Sequence, residues 1–462
     1  MPEFDELLPE TRRALHHRIA VGQSEGRTPS LVGAVVRDGQ AVWTGSRSCV
    51  DGHAPDVNTQ YRIGSITKTF AAVLVMRLRD AGRLDLDDPV DKHLGGRAPA
   101  ADGLTIRQLL AHTSGLAAEA PGPWWERTSG DLRPEPADVV GERLHPAGQR
   151  FHYSNPGYTL LGALAQTLYD APWYEVLRSE VLQPLGMPRT TLLPQAPHAG
   201  GFAVHPYADL MQPEVVEDTG IMAPAGQLWS TAADLCRWAA FLGGAGAGAG
   251  AGDPAAAVLS PDTLAEMRRP AAPEGSYGLG LQLLAANGRS LVGHTGSMPG
   301  FVAGLWTCPD DGLAAVALAN ATSGTPTGTI AADLLGIVAD REPAIPRPWR
   351  PSSDPDPELL ALTGAWFWGT TPYTLHLRAG RALELRPATG SGRASRFRPA
   401  PDGATWTGLD DYFAGETLRP VHAPSGALTH LDLGTFVFTR TPYDPAAPIP
   451  GGTHPDGWSV TR

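Results

Sequence analysis

Cysteine is scarce in this 462-residue chain: Cys49, Cys236 and Cys308 are the only three, and they lie far apart. A sparse, odd set is no disulfide framework and lacks zinc-ligand spacing. Reduced, partly buried thiols are the expectation. Basic residues are also in deficit, 36 against 48 acidic, for a formal net charge of −12. An acidic surface repels phosphate backbones and anionic headgroups, which argues against nucleic acid or membrane as the main partner. No apolar run reaches the roughly 18 residues of a bilayer-spanning helix. The opening stretch MPEFDELLPETRRALHHR is charged and broken by proline, without the basic start and apolar core of a secretion signal. A cytoplasmic location is therefore expected.

What is present is ordinary for a globular protein: 42% hydrophobic and 18% charged residues exclude disordered and collagen-like classes. At about 150 residues per domain the length suggests two or three domains. Residues 5–20 read as a helix. SLVGAVVRDGQAVWTGSR reads as a hairpin around Asp38-Gly39. TFAAVLVMRLRDAGRL has helical spacing and stops at Ala81-Gly82. Residues 105–245 read as helical and loop-rich, and the run GGAGAGAGAG (243–252) as a surface loop. Strand signals return at 277–284, 300–308 and 312–320. The proline-rich stretch 342–358 reads as an extended linker. Beyond it, YTLHLRAGRALELRP and LTHLDLGTFVFTR alternate around turns, the mark of a small all-β module. The expected order is a core domain over 1–341, a linker over 342–358 and a β domain over 359–462.

Three short motifs carry chemistry. In YRIGSITKTF, Ser65 precedes Lys68 by three residues at the start of an apolar helix. Residues at that spacing share a helix face and can touch. A serine hydroxyl needs such a base, and a helix N-terminus offers N–H groups to a developing negative charge. Lys68 can act as base only if burial lowers its pKa. In RFHYSNPGY, Tyr153 stands before a turn where it could shuttle protons, and Asn155 two residues on could bond a substrate amide. In LVGHTGSMPGF, His294-Thr295-Gly296 reads as an edge strand able to pair with an extended peptide, with the Ser297 N–H as an oxyanion donor. Other polar clusters read blandly. Asp85, Asp87, Asp88 and Asp91 lack the glycine of a calcium loop. His16, His17, His112, His152 and His205 read as surface or hydrogen-bonded histidines, the last two being candidates by sequence context for the neighbourhood of the pocket. Trp124 and Trp125 read as an aromatic wall over it.

Taken together, S-x-x-K, Y-x-N and H-T-G in this order resemble the serine penicillin-recognising family: penicillin-binding D,D-peptidases, class C β-lactamases and their esterase and D-aminopeptidase relatives. LLAHTSGL, PLGM, PAGQLWSTAADL and YGLGL match as well, over about residues 10–340. The resemblance implies an α/β (α+β) core, with a central antiparallel sheet flanked by helices and a helical subdomain, before a lipocalin-like β domain. It implies Ser65 as nucleophile, Lys68 and Tyr153 as base and acid, and Asn155, His294, Thr295 and Gly296 as substrate contacts. The N–H groups of Ser65 and Ser297 would form the oxyanion hole. Neither cofactor nor metal is implied. His294 stands where many members have lysine, which weakens the expectation of strong β-lactamase activity. The domain order resembles that of stand-alone thioesterases that close nonribosomal peptide thioesters ending in a D-residue, with a carrier protein delivering the chain. The alternative is a D-stereospecific peptidase, an esterase or a weak β-lactamase.

Overall fold

The structure, a computed structural model, describes residues 7–130, 135–244, 254–343, 351 and 356–443. Residues 5–6 of the expected first helix, the glycine–alanine run from 245 on, most of the proline-rich linker and the chain beyond 443 lie outside the described residues. Two compact units emerge, Met1–Ile345 and Pro346–Arg462.

Unit 1 is organised by a six-stranded antiparallel sheet. Across it run β2 (Gln40–Ser48), β1 (Ser30–Arg37), β6 (Leu313–Ala319), β5 (Phe301–Cys308), β4 (Arg289–Met298) and β3 (Gln282–Ala286). β1 and β6 are covered on both faces, which is why SLVGAVVR and LAAVALA are almost wholly apolar. Their alternation divides the side chains between two cores. Leu31, Val35, Ala315 and Ala317 share one core with Leu15 and Ile19 of α1 (Pro9–Glu25) and Ile330 and Leu334 of α5 (Thr327–Arg341). Val32, Ala34, Val316 and Leu318 belong to the other, larger core. That core is built with α2 (Thr67–Asp80), α3 (Asn155–Tyr169) and α4 (Ala232–Gly243).

Unit 2 is a closed antiparallel barrel of eight strands, β7 (Gly364–Trp368), β8 (Thr371–Leu377), β9 (Leu383–Pro387), β10 (Ser395–Pro399), β11 (Trp406–Gly408), β12 (Thr417–His422), β13 (Leu428–Leu433) and β14 (Phe436–Thr439). β7 meets β14 at Phe367 and Thr439, so the sheet has no free edge. Trp366, Leu385, Phe397, Trp406, Leu418 and Phe438 fill its interior. The unit opens on a helical turn, Pro357–Leu362, capped by the Asp356 carboxylate.

The fold class and the hairpins 30–48, 373–387 and 428–440 are as the sequence leads one to expect. Three local readings need correction. The strand expected over 277–284 begins only at Gln282, because Gly280 at φ +81° turns the chain in a conformation few other residues adopt. Ser65 lies in a 3₁₀ turn, Gly64–Ile66, that leads into α2. β4 is the penultimate strand of the sheet and becomes an edge only past Gly293, where its pairing with β3 ends.

Candidate active site

A sharp turn presents Ser65. Tyr61–Arg62 pairs with Trp229–Ser230, and the chain then bends at Gly64, φ +53°, into the 3₁₀ turn. A Cβ on Gly64 would lie 2.4 Å from the Ser297 nitrogen, and one on Gly296 would lie 1.9 Å from the Ile63 oxygen. The β4 backbone therefore packs directly on the serine turn. Only glycine permits this at either position. The contact sets the amides of Ser65 and Ser297 next to each other, the arrangement an oxyanion hole requires. Within a buried stretch, Ser65 is the half-exposed residue.

Lys68, on the first turn of α2, is wholly buried. Its Nζ lies 2.9 Å from Ser65 Oγ and 2.6 Å from the Ala225 carbonyl oxygen, both neutral partners. Burial pushes its pKa down to about 7, against the upward pull of the Glu119 and Glu126 charges. A lysine that has lost its proton near neutrality accepts one from a serine hydroxyl while still donating to Ala225. Tyr153 interacts with the Ser65 hydroxyl, and its ring lies 4.9 Å from Lys68 Nζ. Burial raises the Tyr153 phenol above the usual tyrosine range, so it keeps its proton.

Asn155 opens α3 behind the N-cap Ser154. Its Nδ2 donates to Glu119 Oε1 at 2.9 Å, while its buried Oδ1 has no protein partner. The other Glu119 oxygen accepts from Trp125 Nε1 at 2.8 Å. Trp125 comes within 3.6 Å of where a Cβ on Gly226 would sit, a position also 3.8 Å from the Gly64 carbonyl carbon. Trp125 thus walls this part of the site. Trp124 is 59% exposed and stacks on Arg127 instead.

His294 does not supply the positive charge a lysine would. Its Nδ1 donates to the Thr295 oxygen at 2.5 Å, so Nε2 accepts from the Tyr277 hydroxyl at 3.0 Å. Burial, then the Lys68 charge, push the imidazole down to about 3, and the ring is neutral. Where β3 begins, Gln282 Oε1 takes the Thr295 N–H at 3.1 Å, which leaves Gly296–Met298 without a strand on that side. His112 joins the same cluster, with ring contacts to Phe151, Tyr153, Tyr158 and Tyr277.

Ser65, Lys68, Tyr153, Asn155, His294, Thr295, Gly296 and Ser297 are therefore brought together. Glu119, Tyr277 and Gln282 join them without having been singled out from the sequence, and so does His112, read there as a surface or hydrogen-bonded histidine. The phrase LLAHTSGL held the signal for His112. His152 lies beside the site, its N–H on the His112 carbonyl oxygen at 2.7 Å and its ring against His145, while His205 packs on Tyr207. Among the described residues no group of acidic, His and Cys side chains is placed to hold a metal ion. No helix among them is long and apolar enough to cross a membrane.

Comparison with known proteins gives two family matches, Beta-lactamase over residues 12–340 and a domain of unknown function over 355–440. The curated "Beta-lactamase-like protein 2" of Dictyostelium discoideum is 29% identical over 51% of this chain, which spans only 46% of that relative's length. Among solved structures, a D-stereospecific amidohydrolase from Streptomyces sp. is 27% identical, covers 69% of this chain and 96% of its own, and has a TM-score of 0.56. A structure titled SurE is 25% identical and covers 94% of this chain and 99% of its own, at a TM-score of 0.58. SurE has also been solved with D-Leu.

Proposed function

The chain belongs to the Beta-lactamase family of serine hydrolases, and from that premise we propose that it hydrolyses D-configured aminoacyl or peptidyl amides and esters through an acyl-enzyme on Ser65. The observation that carries this reading is Lys68, buried among neutral partners 2.9 Å from the Ser65 hydroxyl. Ser65 Oγ attacks the substrate carbonyl carbon as Lys68 Nζ takes its proton. The Ser65 and Ser297 amides hold the resulting oxyanion. Tyr153 gives a proton to the leaving amine or alkoxide and regains one from protonated Lys68, and water then cleaves the ester, giving one proton back to Ser65 Oγ as the acid leaves. The Asn155 Oδ1 without a partner suits a substrate N–H, and the free edge at Gly296–Met298 suits an extended acyl chain.

The neutral His294 offers no fixed charge to a substrate carboxylate, while Glu119 and Glu126 repel one. This argues for amides and esters over D,D-carboxypeptidase or β-lactam substrates. D-configuration is supported by the amidohydrolase likeness. A second reading is supported by the domain order, a Beta-lactamase core followed by an eight-stranded barrel, as in the stand-alone thioesterases the sequence resembles: head-to-tail closure of a peptidyl thioester with a C-terminal D-residue, delivered by a carrier protein.

The test is product mass after incubation with D- and L-aminoacyl amides, and with linear peptide thioesters ending in a D- or an L-residue. Free acid from the D-forms supports the hydrolase. A cyclic product from the D-ended thioester replaces it with the second reading. Turnover by a Ser65→Ala variant contradicts both.

A further inference from the structure

Tyr153 lies in a stretch, 151–154, that belongs to neither helix nor strand, so no regular structure holds it. One residue does. The His152 N–H donates to the His112 carbonyl oxygen at 2.7 Å, and the Ser154 N–H donates to His112 Nδ1 at 3.0 Å. Between these two bonds the Tyr153 ring packs on the His112 imidazole, with centroids 4.2 Å apart and planes tilted by 31°. His112 is fully buried and sits at φ +55°, a conformation rare for a residue with a side chain. Because Nδ1 accepts from a peptide N–H, it carries no proton and the ring is neutral. Burial first, then the Lys68 charge, hold its pKa well below the ordinary value, so this acceptor persists through the working pH range. Its Nε2 has no protein partner. A buried polar ring in a strained backbone, with one nitrogen unspent, is costly to maintain unless it does something packing alone would not require.

We propose that His112 is a positioning residue for acyl transfer, clamping the backbone on both sides of Tyr153 and backing its ring so that the phenol stays on Ser65. This rests on the reading of Tyr153 as the group that exchanges protons with Ser65. Loss of the clamp lets the phenol wander by a fraction of an ångström to an ångström, enough to cost one to two orders of magnitude in rate.

Asparagine separates this role from packing. Its Oδ1 is the same number of bonds from Cα as the imidazole Nδ1, and asparagine tolerates φ near +55°. Glycine allows the same φ and removes both acceptor and ring. Steady-state kinetics of the full chain on a neutral activated ester, with thermal melting of each variant, gives the readout. His112→Gly is expected to lower kcat about 30-fold with KM within about 2-fold, and His112→Asn to recover kcat to within about 5-fold of the parent. If His112→Gly does not fold, His112→Ser replaces it, since a serine hydroxyl is one bond too short to reach Ser154 N. Parent-like kcat in the folded glycine or serine variant overturns the proposal, as does an asparagine variant no better than either. Tyr153→Phe is the control for the underlying reading. If it keeps parent kcat, the proton-carrying role of Tyr153 falls and the proposal with it. If it loses kcat while His112→Gly does not, the proposal alone falls.

Discussion

Lys68 and Glu384 are both ionisable side chains buried within their own units, and the protein treats them in opposite ways. Glu384, on barrel strand β9, is 5% exposed and takes Arg378 at 2.6 Å on one oxygen and Arg386 on the other. Burial pushes its carboxyl up, but the two guanidinium groups outweigh burial and hold it below the usual carboxylate range. Lys68 has no such compensation. Its direct partners are a hydroxyl and a carbonyl, and burial wins. The contrast extends to neutral groups. Inside the barrel, Trp366 Nε1 and Trp406 Nε1 find the Leu362 and Arg381 carbonyl oxygens. In the cleft, His112 Nε2 and Asn155 Oδ1 are buried with no protein partner. Buried polar atoms without a protein partner also occur elsewhere in unit 1, at Trp43 and Trp173, so in the cleft it is their convergence with a depressed lysine beside a serine that marks chemistry held ready.

Removing the poised group breaks this contrast most severely. Ser65→Ala is expected to abolish covalent labelling by a neutral activated ester, a loss of about 1,000-fold or more in acylation rate, read by intact mass. Trp366→Ala is expected to destabilise the barrel by about 3–5 kcal/mol, since it empties a fully buried site beneath Arg440. Calorimetry should register that loss while Ser65 labelling at 25 °C stays within about twofold. An equal loss of labelling would erase the distinction between the units.

Lys68→Met sharpens it. An unfolded lysine titrates near 10.4, whereas Lys68 titrates at about 7, so between those values the unfolded state binds more protons and stability rises with pH. Below pH 7 the native protein carries the whole cost of the depressed pKa. Lys68→Met should therefore gain about 2 kcal/mol at pH 6, less at pH 10, and lose acylation throughout. Glu384→Gln should do the reverse on a smaller scale, costing about 1 kcal/mol at pH 7. A depressed carboxyl stabilises above its unfolded pKa and loses that contribution as pH falls through its folded one, so variant and parent converge as pH falls through that depressed value.

Much of this was legible in the sequence because it is local. Asp38-Gly39, Ala379-Gly380 and Gly434 mark turns whose flanking strands have no closer partner to pair with. The motif residues of the site were legible for a similar reason: Ser65 and Lys68 are three apart, and Tyr153 and Asn155 two. Lysine is rare here, only Lys68 and Lys92, and one of the two stands where the motif needs it. What could not be read was long-range. Glu119 meets Asn155 across 36 residues and His112 meets Ser154 across 42, and neither distance leaves a periodic trace. The apolar run at 277–281 read as strand because Leu279 and Leu281 are buried, but they enter the core through a turn at Gly280. Hydrophobicity reports burial there and leaves the backbone path open.

The most direct test of the site is the pH dependence of the single-turnover acylation of Ser65 by a neutral activated ester. Expected is a rate that rises with pH and levels off with a midpoint of about 7, where Lys68 gives up its proton. A rate that is flat between pH 5 and 10, or one that rises only near the free-lysine value of about 10.4, would contradict Lys68 as the base that activates Ser65.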